Sequence, residues 1–358
     1  MADTWRVIDT GLRAAAQNIA LDRALLEARR AEEIPSTLRF QRFTPSALVG
    51  CNQAVEQEVD LDYCRSAGIE VQRRLTGGDV MCLDPVQLVW SLFLHRRDIG
   101  PLNMQAVSRR LCHAAAAAVS ALGVTACFRA PNDIEVEGRR VSDSAGVFDG
   151  EALLFQGTLL VDCDPAVLLR ASRLSMPSPG FARDRITSLR ELLGARPDTG
   201  LLRRYLTEAF ESEFSVEFRE GDLTLSENER FRAALREIGH RDWVNLVARP
   251  ATAVAVLHAR QPAPDGPLRA TVAFDPQSRI IRQVWFSSDV PVTPKRMLAD
   301  LEAALLYTPA LRLVHRLDRF FAGRQVAMSP LKPEDFLEVV RRAIGALTAN
   351  VDETNETE

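Results

Sequence analysis

Three short stretches gather cationic, hydroxyl and glycine residues of the kind that hold anions. The first is Arg73-Arg74-Leu75-Thr76-Gly77-Gly78-Asp79. Glycines let a backbone approach a ligand closely, exposed N–H groups there bind phosphate or carboxylate oxygens, and an adjacent arginine adds a charge-assisted fork. Taken alone, a plain tight turn with solvated arginines is the preferred reading. The stretch lacks the Gly-Lys-Ser/Thr ending of a P-loop, and no GxGxxG opens a helix. The second stretch runs from Asn132 and Asp133 through Arg139 and Arg140 to Ser142, Ser144 and Ala145, with Asp143 in its middle. A carboxylate there opposes any anion the loop would hold. The third places Gly157 and Thr158 in Phe-Gln-Gly-Thr. The three segments fall in order on strands expected to be neighbours, and together they outweigh any one of them.

Composition narrows the chemistry. Of 44 basic residues only Lys295 and Lys332 are lysines, so the first 294 residues contain none. Arginine stays protonated, and no side-chain amine can act as a base in that region. The five histidines, 95, 113, 240, 258 and 315, lack metal-ligand spacing, and no metal site is expected. The six cysteines show no CxxC pairing, and the chain opens without the apolar core of a signal peptide, so free thiols and a cytoplasmic setting are expected. A net charge of -4 without blocks of like charge argues against nucleic acid, and no apolar run is long enough to span a membrane.

These residues need a scaffold. A chain of 358 residues suggests two domains. Helical periodicity marks residues 14–33, 101–122 and 227–239, and alternating or apolar runs mark strands near 4–11, 37–43, 69–75, 86–95, 133–148 and 151–164. Pro101 is expected to open the second helix, and Ser226 with Glu229 to form a capping box for the third. A helical stretch is read at 164–174, then a Pro/Gly loop at 176–184. The expected fold class is α+β, mixed sheets flanked by helices, with a small α+β accessory domain. The boundaries are set at 1–225, 226–348 and an acidic, disordered tail at 349–358.

The blocks, in order and spacing, resemble the lipoate–protein ligase family of the biotin/lipoate ligase and octanoyltransferase superfamily. "NIALDRALL", "RFQRFTPSALVGCNQ", "RRLTGGDVMCL", "NDIEVEGRRVSDSAG" and "FQGTLLVD" are similar to that family's signature segments, and "HRDWVN" is similar to a downstream one. The resemblance implies ATP- and Mg²⁺-dependent activation of lipoate or octanoate to an acyl-adenylate, then transfer to a lysine of a carrier-domain protein. It assigns Arg73, Arg74, Thr76, Gly77, Gly78, Asn132, Asp133, Ser142, Ser144, Ala145, Gly157 and Thr158 to the acyl-adenylate site. Residues 183–192 resemble a segment that caps the site, although an amphipathic helix start explains them equally well.

The departures are as informative. The family's key lysine falls on Arg140, which keeps charge but supplies no base. Its glycine falls on Asp143, its two histidines on Leu83 and Gln156, its glutamine on Gly146, and Asp79 adds a further carboxylate. In one octanoyltransferase branch a cysteine before this strand carries the acyl group as a thioester. Cys127 is placed comparably, with Arg129 near enough to favour a thiolate, although a plain buried cysteine is the preferred reading. Three functions remain open: an altered ATP-dependent ligase using Arg140, an acyltransferase using Cys127, and a binding module for acyl groups or lipoylated carriers.

Overall fold

The computed structural model describes residues 3–51, 53, 55–78, 80–164, 169–172, 184–246, 254–261, 268–288, 292–294 and 296–352. Two compact units divide the chain, Met1–Arg249 and Pro250–Glu358.

In the first unit β1 (Thr4–Arg13) leads into α1 (Ala15–Arg30), followed by β2 (Thr37–Phe43) and β3 (Ser46–Val49). Short helices α2 (Val55–Glu58) and α3 (Leu61–Ser66) precede β4 (Glu70–Arg73), β5 (Met81–Leu83) and β6 (Leu88–His95). Then come α4 (Arg96–Ile99), α5 (Met104–Ser120), β7 (Ala126–Arg129), β8 (Asp133–Val136), β9 (Arg139–Asp149) and β10 (Ala152–Leu159). The unit ends with α6 (Leu189–Leu193), α7 (Thr199–Phe214), β11 (Glu217–Glu220), α8 (Leu225–Ile238) and α9 (Arg241–Val244).

Eight strands form one sheet in the order β11-β1-β2-β6-β10-β9-β8-β7, and β4-β3-β5 form a second. α5 and α7 cover one face of the large sheet. Leu111, Ala115, Leu202 and Phe210 pack there with Trp90, Ile134, Val141 and Phe155. The small residues Ala114–Ala118 keep that helix close to its neighbours. α1 lies over the opposite face, where Leu25 and Leu26 meet Phe93 and Leu154. Its first turn is capped from a distance: the Glu70 carboxylate accepts from the N–H groups of Ala15 and Ala16 at 2.8 and 2.9 Å, which satisfies orphan donors and places negative charge at the positive helix end.

The second unit is an antiparallel meander, β12 (Ala255–Gln261), β13 (Leu268–Asp275) and β14 (Ile280–Ser288), extended by β15 (Thr308–Pro309). α10 (Met297–Ala304), α11 (Leu313–Phe321) and α12 (Pro333–Asp352) bury their apolar sides against it, with Val272, Phe286, Leu301, Leu317 and Phe336 in one core.

The mixed α+β class and the extra C-terminal unit stand as expected. Several details differ. The division falls after Arg249, and not at 225/226, because α8 belongs to the first core: Ala234 and Ile238 pack with Ala15 and Ile19 of α1. Its capping box is Thr224 with Glu227, two residues earlier than expected, since Glu227 also accepts from Arg6 of β1 at 3.0 Å. Asn103 caps α5, accepting from Ala106 N at 2.9 Å, so Pro101 lies outside the helix. α12 runs to Asp352, so residues 349–352 of the expected tail are helical, and 353–358 lie outside the described residues. Of the helix expected at 164–174, only the turn Leu169–Ala171 is described as helical, and nearly all of the Pro/Gly loop lies outside.

Candidate active site

The site is built on the α1-side face of the large sheet, near its β7 edge. β7, β8, β9 and β10 lie side by side. Register places Cys127 opposite Glu135, and Glu135 opposite Arg140, so one transverse row carries a thiol, a carboxylate and a guanidinium. A second row sets Arg129 opposite Asp133, Asp133 opposite Asp143, and Asp143 opposite Thr158. Side-chain contacts follow these rows. Cys127 Sγ lies 3.7 Å from Glu135 Oε1. Arg129 lies 3.9 Å from Asp133 and 4.0 Å from Glu135, and Arg140 lies 4.0 Å from Asp133.

A β-bulge decides which residues share the face. The β8–β9 register shifts between Ile134 and Glu135, so Arg140 and Ser142 pair with consecutive residues and Val141 is extra. Arg140 and Asp143, three residues apart, thereby meet on one face. Both line a cavity of about 50 Å³, together with Gln87, Thr158 and the apolar Met81 and Ile186. The segment expected to cap the site does close beside it: Thr187 N donates to Arg140 O at 2.9 Å, and Ile186 bridges to the same strand.

The bulge turns several expected site residues away. Ser142 pairs with Ile134, on the α5 side. Ser144 Oγ lies 3.3 Å from Cys112 Sγ of α5. Gly157 also faces that core. A Cβ there would sit 2.4 Å from Cζ2 of Trp90, so the glycine makes room for an indole. Gly146 likewise faces Met104 and Phe155, whose atoms a Cβ would meet at 2.8 Å. Asn132 donates through its amide to Ser144 O and tethers the start of β8. Ala145 pairs with Gln156 on the site face, two residues beyond Asp143.

Arg73 and Arg74 are not solvated, and their donors are committed to the fold. Both are almost wholly buried. Arg73 donates to the carbonyls of Gly50, Cys51 and Gln53 at 2.9, 3.0 and 2.7 Å, and to Trp243 and Val244. Arg74 donates to Leu48 O, Gly77 O and Thr76 Oγ1. A Cβ on Gly50 would lie 2.3 Å from Gly78 O, so the glycine loop is packed against another loop. Its contribution to the site is indirect. It delivers Val80, Met81 and Cys82 to the cavity wall. Asp79 lies outside the described residues. Leu83 is buried among Ala15, Ile19 and Phe43.

Burial sets the proton affinities. It pushes the Asp133 carboxyl up to about 6, with Asp143 and Glu135 adding to the rise, against the pull of Arg140 and Arg129. It pushes the thiols of Cys82 and Cys112 up to about 12 and holds them neutral. Of the six cysteines only Cys127 is exposed, contrary to the expectation of a buried one. Deeper along the sheet, Asp22, Arg39, Gln41, Ser91 and Gln156 form a buried polar stripe under α1. Arg39 meets Asp22 at 2.7 Å, while both amide atoms of Gln156 have no hydrogen-bond partner among the described residues. Gln87, which lines the cavity, and Glu135, between Cys127 and Arg140, were not singled out from the sequence. The alternation Asp133-Ile134-Glu135-Val136 was the signal available for Glu135.

The lipoyl protein ligase A/B catalytic domain matches residues 14–211, more than half of the chain. The chain belongs to the lipoyl protein ligase A/B family. Among members of that family, the octanoyltransferase LipM of Moorella thermoacetica is 30% identical over 274 residues, which cover 68% of this chain and 98% of that protein. The fold is shared with the bipartite lipoate protein ligase of the Thermoplasma acidophilum lipoylation system, at 22% identity and a TM-score of 0.61, over 69% of this chain and 98% of that one. LipL1 of P. falciparum, solved in complex with lipoate, covers 95% of this chain with 98% of its own, at 17% identity and a TM-score of 0.57, so the likeness extends into the C-terminal unit. Among the described residues no helix is long and apolar enough to cross a membrane.

Proposed function

We propose that this family member transfers a medium-chain acyl group, octanoyl or lipoyl, to a lysine of a lipoyl carrier domain through a thioester on Cys127. The observation that carries the reading is the placement of Cys127. It is the exposed cysteine, on the edge strand of the sheet, in one row with Glu135 and Arg140 beside the cavity. The 30% identity to an octanoyltransferase over nearly that protein's full length supports the same chemistry.

ATP with Mg²⁺ fits these residues poorly. Arg73 and Arg74 spend their donors on backbone carbonyls, and Arg140 stands beside the carboxylates Asp133 and Asp143, which repel a triphosphate. The acyl group on this reading arrives as a carrier thioester and not as an adenylate.

In the first half-reaction the Cys127 sulfur attacks the carbonyl of an acyl thioester on a donor carrier. A new C–S bond forms, the old one breaks, and the thiol proton goes to the departing carrier thiolate. In the second, the acceptor lysine nitrogen attacks the Cys127 thioester, a C–N bond forms and the Cys127 sulfur leaves. Arg140 supplies fixed positive charge for the oxyanion of either tetrahedral state. Arg129, two residues from Cys127 on its own strand, adds positive charge near the thiolate.

The test is to incubate the protein with an octanoyl-carrier thioester and follow its mass. A hydroxylamine-labile octanoyl adduct is expected, absent in Cys127→Ala. ATP–pyrophosphate exchange with octanoate or lipoate, with no adduct on Cys127, would overturn the reading.

A further inference from the structure

The first unit contains no lysine, yet amide formation needs a base. The acceptor lysine arrives as an ammonium, with a pKa of about 10.4 in water, and an ammonium cannot attack a carbonyl. Arg140 cannot take its proton.

We propose that the Asp133–Asp143 carboxylate pair deprotonates the acceptor lysine, and that the cavity beside it receives that lysine's ammonium head. This rests on the thioester reading above. Three features point to it. First, the two aspartates face each other across β8 and β9, where directly opposed residues stand about 5 Å apart. Second, the cavity wall is rich in acceptors. Gln87 is 1% exposed, and its Oε1 has no partner among the described residues. Asp143 brings a carboxylate. Thr158 turns its hydroxyl proton toward Met81 Sδ at 3.2 Å, which leaves oxygen lone pairs to accept. An ammonium carries three donors and no acceptor, so the complement is direct. Third, a volume of about 50 Å³ suits a small polar head group, since one water needs roughly 10–15 Å³ by the same kind of measure.

The charged and titratable groups around the pair come from β5, β7, β8, β9 and α5. They are Arg129 on β7, Glu135 on β8, Arg140 on β9, Cys82 on β5 and Cys112 on α5. The thiols stay neutral, and the two arginines, at 3.9 and 4.0 Å from Asp133, pull its proton affinity down against burial. A proton on two interacting carboxylates belongs to the pair and not to one residue. The rise of Asp133 to about 6 leaves that carboxyl largely ionised at neutral pH yet more basic than an ordinary carboxylate, so it can accept a proton in passing.

The step balances as follows. One proton passes from the lysine ammonium to the carboxylate pair. The neutral amine then attacks the thioester carbonyl, the C–N bond forms and the C–S bond breaks. The second nitrogen proton goes to the Cys127 thiolate, and the pair returns the first to water. The products are the amide, the free thiol and one released proton.

The experiment uses full-length protein preloaded with octanoyl on Cys127 and mixed rapidly with a lipoyl-domain protein. Amide formation is followed from about pH 5.5 to 8.5, and release of the same adduct by hydroxylamine, an amine far less basic than lysine, runs in parallel. Asp143→Asn and Asp133→Asn are expected to slow amide formation about 100-fold at neutral pH and to abolish its rise with pH, with hydroxylamine release unchanged. Wild-type rates and an unchanged pH profile in both variants would overturn the proposal while leaving the thioester reading intact. Failure of wild-type protein to load Cys127 would overturn both. Should the aspartate variants fail to load, Gln87→Leu carries the test: a rise of tenfold or more in KM for the lipoyl domain supports the proposal, and an unchanged KM sinks it.

Discussion

Asp133 sits where the fold opposes its charge, and that leaves a mark on stability. A carboxyl whose folded pKa is raised, here to about 6 from 3.8, holds its proton more tightly in the folded state than in the unfolded one. It therefore opposes folding at neutral pH, and the penalty fades as pH falls through about 6 and is gone below about 4. Asp133→Asn is expected to raise the unfolding free energy by about 2–3 kcal/mol at pH 7.5, with the gain vanishing near pH 4. Urea melts at the two values check it, and an equal gain at both would show that burial of charge is not the cause. Arg140, Asp133 and Thr158 could be named from the sequence because they occur in blocks of fixed order. The facing of Ser142, Ser144 and Gly157 could not. Strict alternation along a strand would put Arg140, Ser142 and Ser144 on one face, and the extra residue Val141 breaks that count. Nothing in the run Arg139-Arg140-Val141-Ser142 announces a bulge.

Elements, more than single side chains, explain the twin arginines. Arg73 ends β4 and reaches backbone carbonyls on both sides, of Gly50, Cys51 and Gln53 in a loop and of Trp243 and Val244 in α9. It ties the small sheet to α9, and Trp243 Nε1 returns a bond to Arg73 O at 2.9 Å. A lysine cannot reproduce that fork, because its donors radiate from one nitrogen. Arg73→Lys is expected to lose about 3 kcal/mol by leaving several buried carbonyls unsatisfied, read as a lowered urea midpoint in tryptophan fluorescence. A loss below about 1 kcal/mol would mean that water replaces the fork. The sequence shows two arginines before a glycine loop, and that pattern fits an anion site and a backbone clamp equally well. Only the positions of the facing carbonyls distinguish them, and these come from segments far apart in the chain.

At the scale of the whole molecule, α8 determines where the first unit ends. It covers α1 through Ala234 and Ile238, and Glu227 meets the buried end of Arg6. A fragment of residues 1–249 is expected to unfold cooperatively, while 1–225 exposes Ala15 and Ile19, leaves Arg6 without its carboxylate and melts at lower temperature or not cooperatively at all. Circular dichroism melts of the two fragments decide it, and equal midpoints would place the end of the unit earlier. The mixed sheets flanked by helices and the extra C-terminal unit were legible from periodicity, whereas the strand order and the boundary were not, since a capping box starts a helix without saying which core the helix will join. The glycine beneath Trp90 has a consequence for reading related chains. A chain that keeps an indole in that position needs a residue without a Cβ here, whatever reaction it performs. On the proposed function, the reaction depends instead on the residues at 127, 133, 140 and 143.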